Sequence, residues 1–190
     1  MSLAYRISVS GSESRTIVVE DGVCSGLELL DILPREEMGR MLRAELERRG
    51  FKSREDQPGA VVREQDGVEV SVDLEKGNVT IRLGASRDVA VTRERSGQTK
   101  DAPGSQEAAK KALRAALQAE IERAIDDEKE GLRAKVTARL EKLLPELRGE
   151  IDQAVNRVTG EALKVRASQL GEIEEVVEDE DGSITIRVRT

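Results

Sequence analysis

From Gln106 to about Leu170 the chain is dominated by Ala, Leu, Glu, Lys and Arg, and no other feature constrains its fold as strongly. These are the strongest helix formers. Apolar side chains recur at Leu132, Val136, Leu140, Leu143, Leu147, Ile151, Val155, Val158, Ala162 and Val165, with a mean spacing of about 3.67 residues. Such a spacing describes a nearly straight amphipathic helix, closer to an eleven-residue repeat than to a heptad. Leu113, Leu117, Ile121 and Ile125 continue the stripe upstream at a spacing of four. Two features interrupt it. The charged run at 126–131 fits either a turn or a weak stretch of helix. Pro145 removes a backbone donor, and because the stripe keeps its phase across it, a kink is expected in preference to a reversal.

A continuous helix of this length would measure roughly 100 Å at about 1.5 Å per residue. A preceding domain of about 100 residues is expected to be too short to shelter such a stripe, which would then need a partner chain or a fold back on itself. The candidate interaction surface is therefore Leu113, Leu117, Ile121, Ile125, Leu132, Val136, Leu140, Leu143, Leu147, Ile151, Val155 and Val158.

Ahead of this segment the sequence reads as strands around one helix. Tyr5–Ser10 and Arg15–Val19 alternate apolar with polar residues, and Gly11-Ser12-Glu13-Ser14 between them has the composition of a hairpin turn. Leu27, Leu29, Leu30, Ile32 and Leu33 form an apolar stretch whose irregular spacing assigns no element. Pro34 opens a helix running to Arg49, with Glu36 and Glu37 at its positive end and Arg48 and Arg49 at its negative end. Met38, Met41, Leu42 and Leu46 share one face, and Gly50 is a natural stop. Ala60–Arg63, Val68–Asp73, Val79–Leu83 and Val89–Arg95 read as further strands, with turns at Asp66-Gly67 and Gly77-Asn78. Alternation of apolar and charged positions implies a sheet with one wet face, its dry face covered by the 34–49 helix. Beyond Gly171, Ile173–Glu178 and Ser183–Arg189 flank Asp179-Glu180-Asp181-Gly182, the pattern of a β-hairpin.

The expected fold class is α+β. Residues 1–95 form the α+β domain, 96–105 a linker, 106–170 the helical segment and 171–190 the hairpin.

The chemistry available is narrow. The chain has no histidine, which removes Ser-His-Asp and Cys-His nucleophiles, histidine-ligated zinc and histidine proton relays together. Cys24 is the only cysteine, so thiolate metal clusters and intramolecular disulfides are out as well. Glu20 and Asp21 lie close to it in sequence, and acidic neighbours disfavour a thiolate, so a packed or incidental thiol is expected. Aligning Gly182 with the glycine of a calcium loop puts Val177 and Val188 at positions that need oxygen ligands, and the match fails. No phosphate-binding glycine motif occurs. Asn78-Val79-Thr80 is a glycosylation sequon only by chance, in a strand-like stretch. No cofactor and no metal is expected.

Partners are constrained by charge. The net charge is −7, no segment is strongly basic, and Tyr5 and Phe51 are the only aromatics, so nucleic acid is not an expected partner. No apolar run approaches the roughly 18 residues that span a bilayer, so no membrane insertion is expected. With an amino terminus unlike a signal peptide, the cytoplasm is the expected location.

Two stretches carry a family likeness. One runs from Tyr5 to Phe51 and contains Val19-Glu20-Asp21-Gly22-Val23-Cys24, Leu27-Glu28-Leu29-Leu30 and Met41-Leu42-Arg43-Ala44-Glu45-Leu46. The other contains Asn156-Arg157-Val158-Thr159, Glu161-Ala162-Leu163-Lys164, Leu170-Gly171 and Ser183-Ile184-Thr185-Ile186. Together they resemble the small components encoded beside MoxR-type AAA+ ATPases and FtsH-related proteins in predicted bacterial ternary systems. The resemblance implies a companion or adaptor of an ATPase-driven assembly and carries over no functional residue.

The expected function is thus a non-enzymatic interaction or adaptor protein that binds a protein partner or itself, with an AAA+ ATPase as a candidate partner. A coiled-coil-like structural oligomer or filament is one alternative. A carboxylate- or metal-dependent enzyme, drawing on the 38 acidic side chains, is the other.

Overall fold

The computed structural model describes residues 4–54, 57, 59–100, 104–178 and 184–189. Its elements run β1 (Ala4–Gly26), α1 (Arg35–Arg48), β2 (Lys52–Ser53), β3 (Ala60–Gln65), β4 (Val68–Asp73), β5 (Asn78–Lys100), α2 (Ser105–Leu170), β6 (Glu172–Glu178) and β7 (Ile184–Arg189). One antiparallel sheet has the order β1-β5-β4-β3-β2, and β6 and β7 form a separate hairpin. The class is α+β, as the periodicities require.

The chain folds as two compact units. The first comprises Met1–Asp21 and Gly84–Ala138, the second Gly22–Leu83 and Arg139–Thr190. β1, β5 and α2 contribute residues to both.

In the first unit, the greater part of β1 and of β5 lies under the amino-terminal part of α2. Ile17, Val89 and Val91 from the strands pack with Leu117, Ile121 and Ile125 from the helix, and Val9, Ala124 and Leu132 close the rim. Gly11-Ser12-Glu13-Ser14 is not a turn here, because β1 continues straight through it. A Cβ on Gly11 would sit 3.2 Å from both Ile121 Cδ1 and Leu117 Cδ2. That glycine serves close approach of helix to sheet, a role that composition alone does not separate from a turn. Gly97 is a second instance. It lies in β5, within the stretch read as a linker, and a Cβ there would meet Leu113 Cδ1 at 3.3 Å. The segments Val79–Leu83 and Val89–Arg95, expected as two strands, are likewise parts of the single strand β5. Of the expected linker, positions 101–103 lie outside the described residues.

The second unit contains the rest of the sheet. Val61, Val72 and Val79 lie in one row across β3, β4 and β5, with Val70 opposite Ile81 and Val68 opposite Leu83. All seven are buried. Asp66 (φ 53°) and Gly67 (φ 77°) close the β3–β4 hairpin with two left-handed residues, the geometry that an Asp-Gly pair favours. α1 packs its apolar stripe of Met38, Leu42 and Leu46 inward. Its carboxyl end forms a Schellman motif. Gly50 adopts φ 89°, and the N–H groups of Gly50 and Phe51 donate to the carbonyls of Glu47 and Leu46. Phe51 and Leu46, the hydrophobic pair of that motif, are both buried.

α2 is one unbroken helix through both the 126–131 run and Pro145, so neither place reverses the chain. β6 and β7 pair antiparallel as expected, with an irregularity between Ile173 and Glu175. The turn expected at 179–182 lies outside the described residues.

Candidate interaction surfaces

The stripe on α2 is where the sequence placed the interaction surface. Within a single chain Leu117, Ile121, Ile125, Val136, Leu140, Ile151, Val155 and Val158 are buried, and Leu113, Leu132, Leu143 and Leu147 are half-buried. The expectation that the visible domain is too short to cover the stripe is therefore corrected. It rested on a preceding domain of about 100 residues, whereas in the first unit β1 and β5 supply Ile17, Val89 and Val91 against Leu117, Ile121 and Ile125. Leu143 and Leu147 keep an open flank. With Val68, Val70, Arg63, Arg139, Glu146 and Glu150 they line a cleft of about 340 Å³ in the second unit.

Beside this cleft lies a charge network that the sequence reading missed. Arg63 donates from both Nη atoms to the two carboxylate oxygens of Glu150, at 2.6 Å each. The same guanidinium donates to the carbonyl of Arg49 at 3.2 Å and stacks 4.7 Å above the centre of the Phe51 ring. Arg49 in turn donates to the Glu150 carbonyl at 3.4 Å and to Glu45 Oε1 at 2.9 Å. Glu45 is buried and also meets Arg48 at 3.1 Å and Arg157 at 3.7 Å. A buried carboxylate is tolerable only when its charge is matched in this way. The Arg63 hydrogen bonds hold Glu150 below the ordinary glutamate range and outweigh its partial burial, while Glu150 raises Arg63 in return. Both groups stay charged near neutral pH, which suits a clamp and not a proton donor.

The Glu45–Arg48 and Glu45–Arg49 spacings of three and four are readable on a helix. The Arg63–Glu150 pair spans 87 positions and leaves no local signal.

Two exposed regions complete the second unit. The outer face of its sheet is a polar concavity of about 420 Å³, lined by Glu69, Ser71, Asp73, Asn78, Thr80 and Arg82 among others. Cys24 is exposed there, not packed, with Thr80 Oγ1 3.5 Å from its sulfur. At the other end, Leu163, Val165 and Leu170 on α2 and Val176 and Val177 on β6 expose 36–62% of their surface. Ile184 of β7 reaches the helix here, since a Cβ on Gly160 would lie 2.5 Å from Ile184 Cδ1.

Among the described residues no group of three or more Cys, Asp or Glu side chains is placed to hold a metal ion. No described helix is long and apolar enough to cross a membrane. Set against known proteins, residues 1–190 match the family model described as FtsH ternary system domain X5. No curated protein and no solved structure matches the chain.

Proposed function

The chain belongs to the FtsH ternary system domain X5 family, and on that footing we propose that it is a non-catalytic accessory component docking on the AAA+ ATPase of such a system. The observation that carries this reading is the family match across the whole chain. The geometry supports it from a second side. Eight of the twelve stripe residues on α2 are buried within the chain, which leaves docking to surfaces outside the stripe. Val18 and Leu30 are exposed singly, whereas Leu163, Val165 and Leu170 on α2 and Val176 and Val177 on the adjoining hairpin are exposed as a group, and we assign docking to that group. Exposed aliphatics concentrated at one terminus are characteristic of a contact surface more than of solvated helix.

Reconstitution tests both parts. The purified chain is mixed with the FtsH-related and MoxR-type ATPases of its own genome, and complex formation and ATP turnover are measured. A stable complex with either, with an altered turnover rate, is the expected result. Failure to associate with both at tens of micromolar overturns the accessory reading. Leu170→Ser with Val176→Ser locates the surface: unchanged affinity would leave the function standing but remove the hairpin end from it.

A further inference from the structure

β1 ends the five-stranded sheet. β5 pairs along one side of it, and among the described residues no strand pairs along the other. Ordinary strands run about 3–10 residues, and β1 has 23. A long edge with no strand beside it is a template for another strand, and proteins blunt such edges with charged side chains, lysine above all, with inward-pointing charges such as Glu13 of β1, or with proline or bulges. β1 contains neither lysine nor proline.

Its sequence is also close to symmetric about Glu13. Residue i matches residue 26 − i at Ile7 with Val19, Val9 with Ile17, Ser10 with Thr16 and Ser12 with Ser14, and Arg6 meets its opposite charge in Glu20. Two pairs depart from the pattern, Ser8 with Val18 and Gly11 with Arg15, and neither sets like charges together. Both members of each pair have the same parity, so an antiparallel partner in this register sets them on the same face of the sheet. Among the described side chains of β1, Ile7, Ile17 and Val19 are buried, and Val9 is half-buried beside them.

We propose that β1 pairs antiparallel with β1 of a second copy of this chain, about a two-fold axis through Glu13. The pattern selects this register over its neighbours. A one-residue slip turns every apolar side chain to the wrong face. A two-residue slip sets Val9 against Arg15 in one direction and Ile7 against Asp21 in the other. In the matched register the apolar row under α2 continues from one copy into the next. The one unfavourable contact is Glu13 against its own copy, since like charges directly opposite repel. Glu13 is already matched within its chain, by Arg15 at 2.5 Å and by an amide hydrogen from Gln118 at 3.1 Å. Arg15 of the other copy falls on the adjacent diagonal, within reach of a long side chain. A two-fold pairing of this kind uses up the edge and closes, so it yields a dimer and no polymer. The inference stands apart from the accessory role, because it rests on the edge and its sequence alone.

The test is the mass of the full-length chain by sedimentation, with a register-specific cross-link. Wild type is expected at twice the mass of one chain. In a Cys24→Ser background, Glu13→Cys places two sulfurs opposite each other across the axis and is expected to cross-link to near completion on mild oxidation. Ser10→Cys is the control, since its two copies would lie about 20 Å apart along the strands, beyond the roughly 7 Å limit for a disulfide. A monomer at every concentration overturns the proposal. So does a dimer in which Ser10→Cys links as readily as Glu13→Cys, or assembly that grows without limit as concentration rises.

Discussion

The two units solve one problem, how to fasten a helix to a sheet with almost no aromatic residues, in different ways. The first relies on a thin aliphatic layer of Ile17, Val89, Val91, Leu117, Ile121 and Ile125. Its charged contacts, such as Arg87–Glu128 at 3.0 Å and Arg15–Glu122 at 3.2 Å, are open to solvent. The second has a deeper core around Met38, Leu42, Leu46 and Phe51, and adds a half-buried network joining α1, β3 and α2. The difference shows where charge contributes to stability. An exposed ion pair competes with water and salt and is worth about 0–1 kcal/mol, whereas a doubly hydrogen-bonded, partly desolvated Arg–Glu pair is costly to break.

The largest expected effect falls on the aliphatic layers themselves. Ile121→Ala in the first unit and Leu42→Ala in the second should each lose about 2–5 kcal/mol by chemical denaturation. If Ile121→Ala were near neutral, the first unit would not be held by the layer described. Gly11→Val should cost about 1–3 kcal/mol through crowding against Ile121 and Leu117. Hydrogen exchange would place the loosening in β1 and the facing turns of α2, and no loss would mean that the sheet and helix are not in close approach there.

Breaking the networks sharpens the contrast. Glu150→Ala strands the Arg63 guanidinium and should cost about 1–3 kcal/mol, while Arg87→Ala in the first unit should cost less than about 0.5 kcal/mol. Equal losses would erase the distinction between the units. The pH dependence follows the same line. Glu150 is held below the ordinary glutamate range by Arg63, so its contribution is complete above that range and is lost as pH falls through the lowered value. Denaturation midpoints should therefore decline on acidification below the ordinary glutamate range, and less steeply in Glu150→Gln. Glu13 is also lowered, by Gln118 and then Arg15, but solvent screens it at the surface, so Glu13→Gln should change the slope least.

What was legible follows the range of the interaction. α1 could be read residue by residue, from Pro34 to the glycine stop, because caps and i, i+4 faces are local. The hairpin at Asp66-Gly67 was legible for the same reason. Gly11 and Gly97 were misread because a glycine that admits a helix has the same letter as one that turns a chain. Their partners, Ile121 and Leu113, lie 110 and 16 positions away.

The α2 stripe divides the two kinds of knowledge. Its existence, period and phase across Pro145 were set by the order of residues, since a 3.6-residue turn needs no tertiary context to align side chains. What covers it could only be decided by the fold, because burial depends on which distant strands arrive and how long they run. The chain dictated a greasy helix; in the first unit Ile17, Val89 and Val91, arriving from β1 and β5, decided that Leu117, Ile121 and Ile125 would be core.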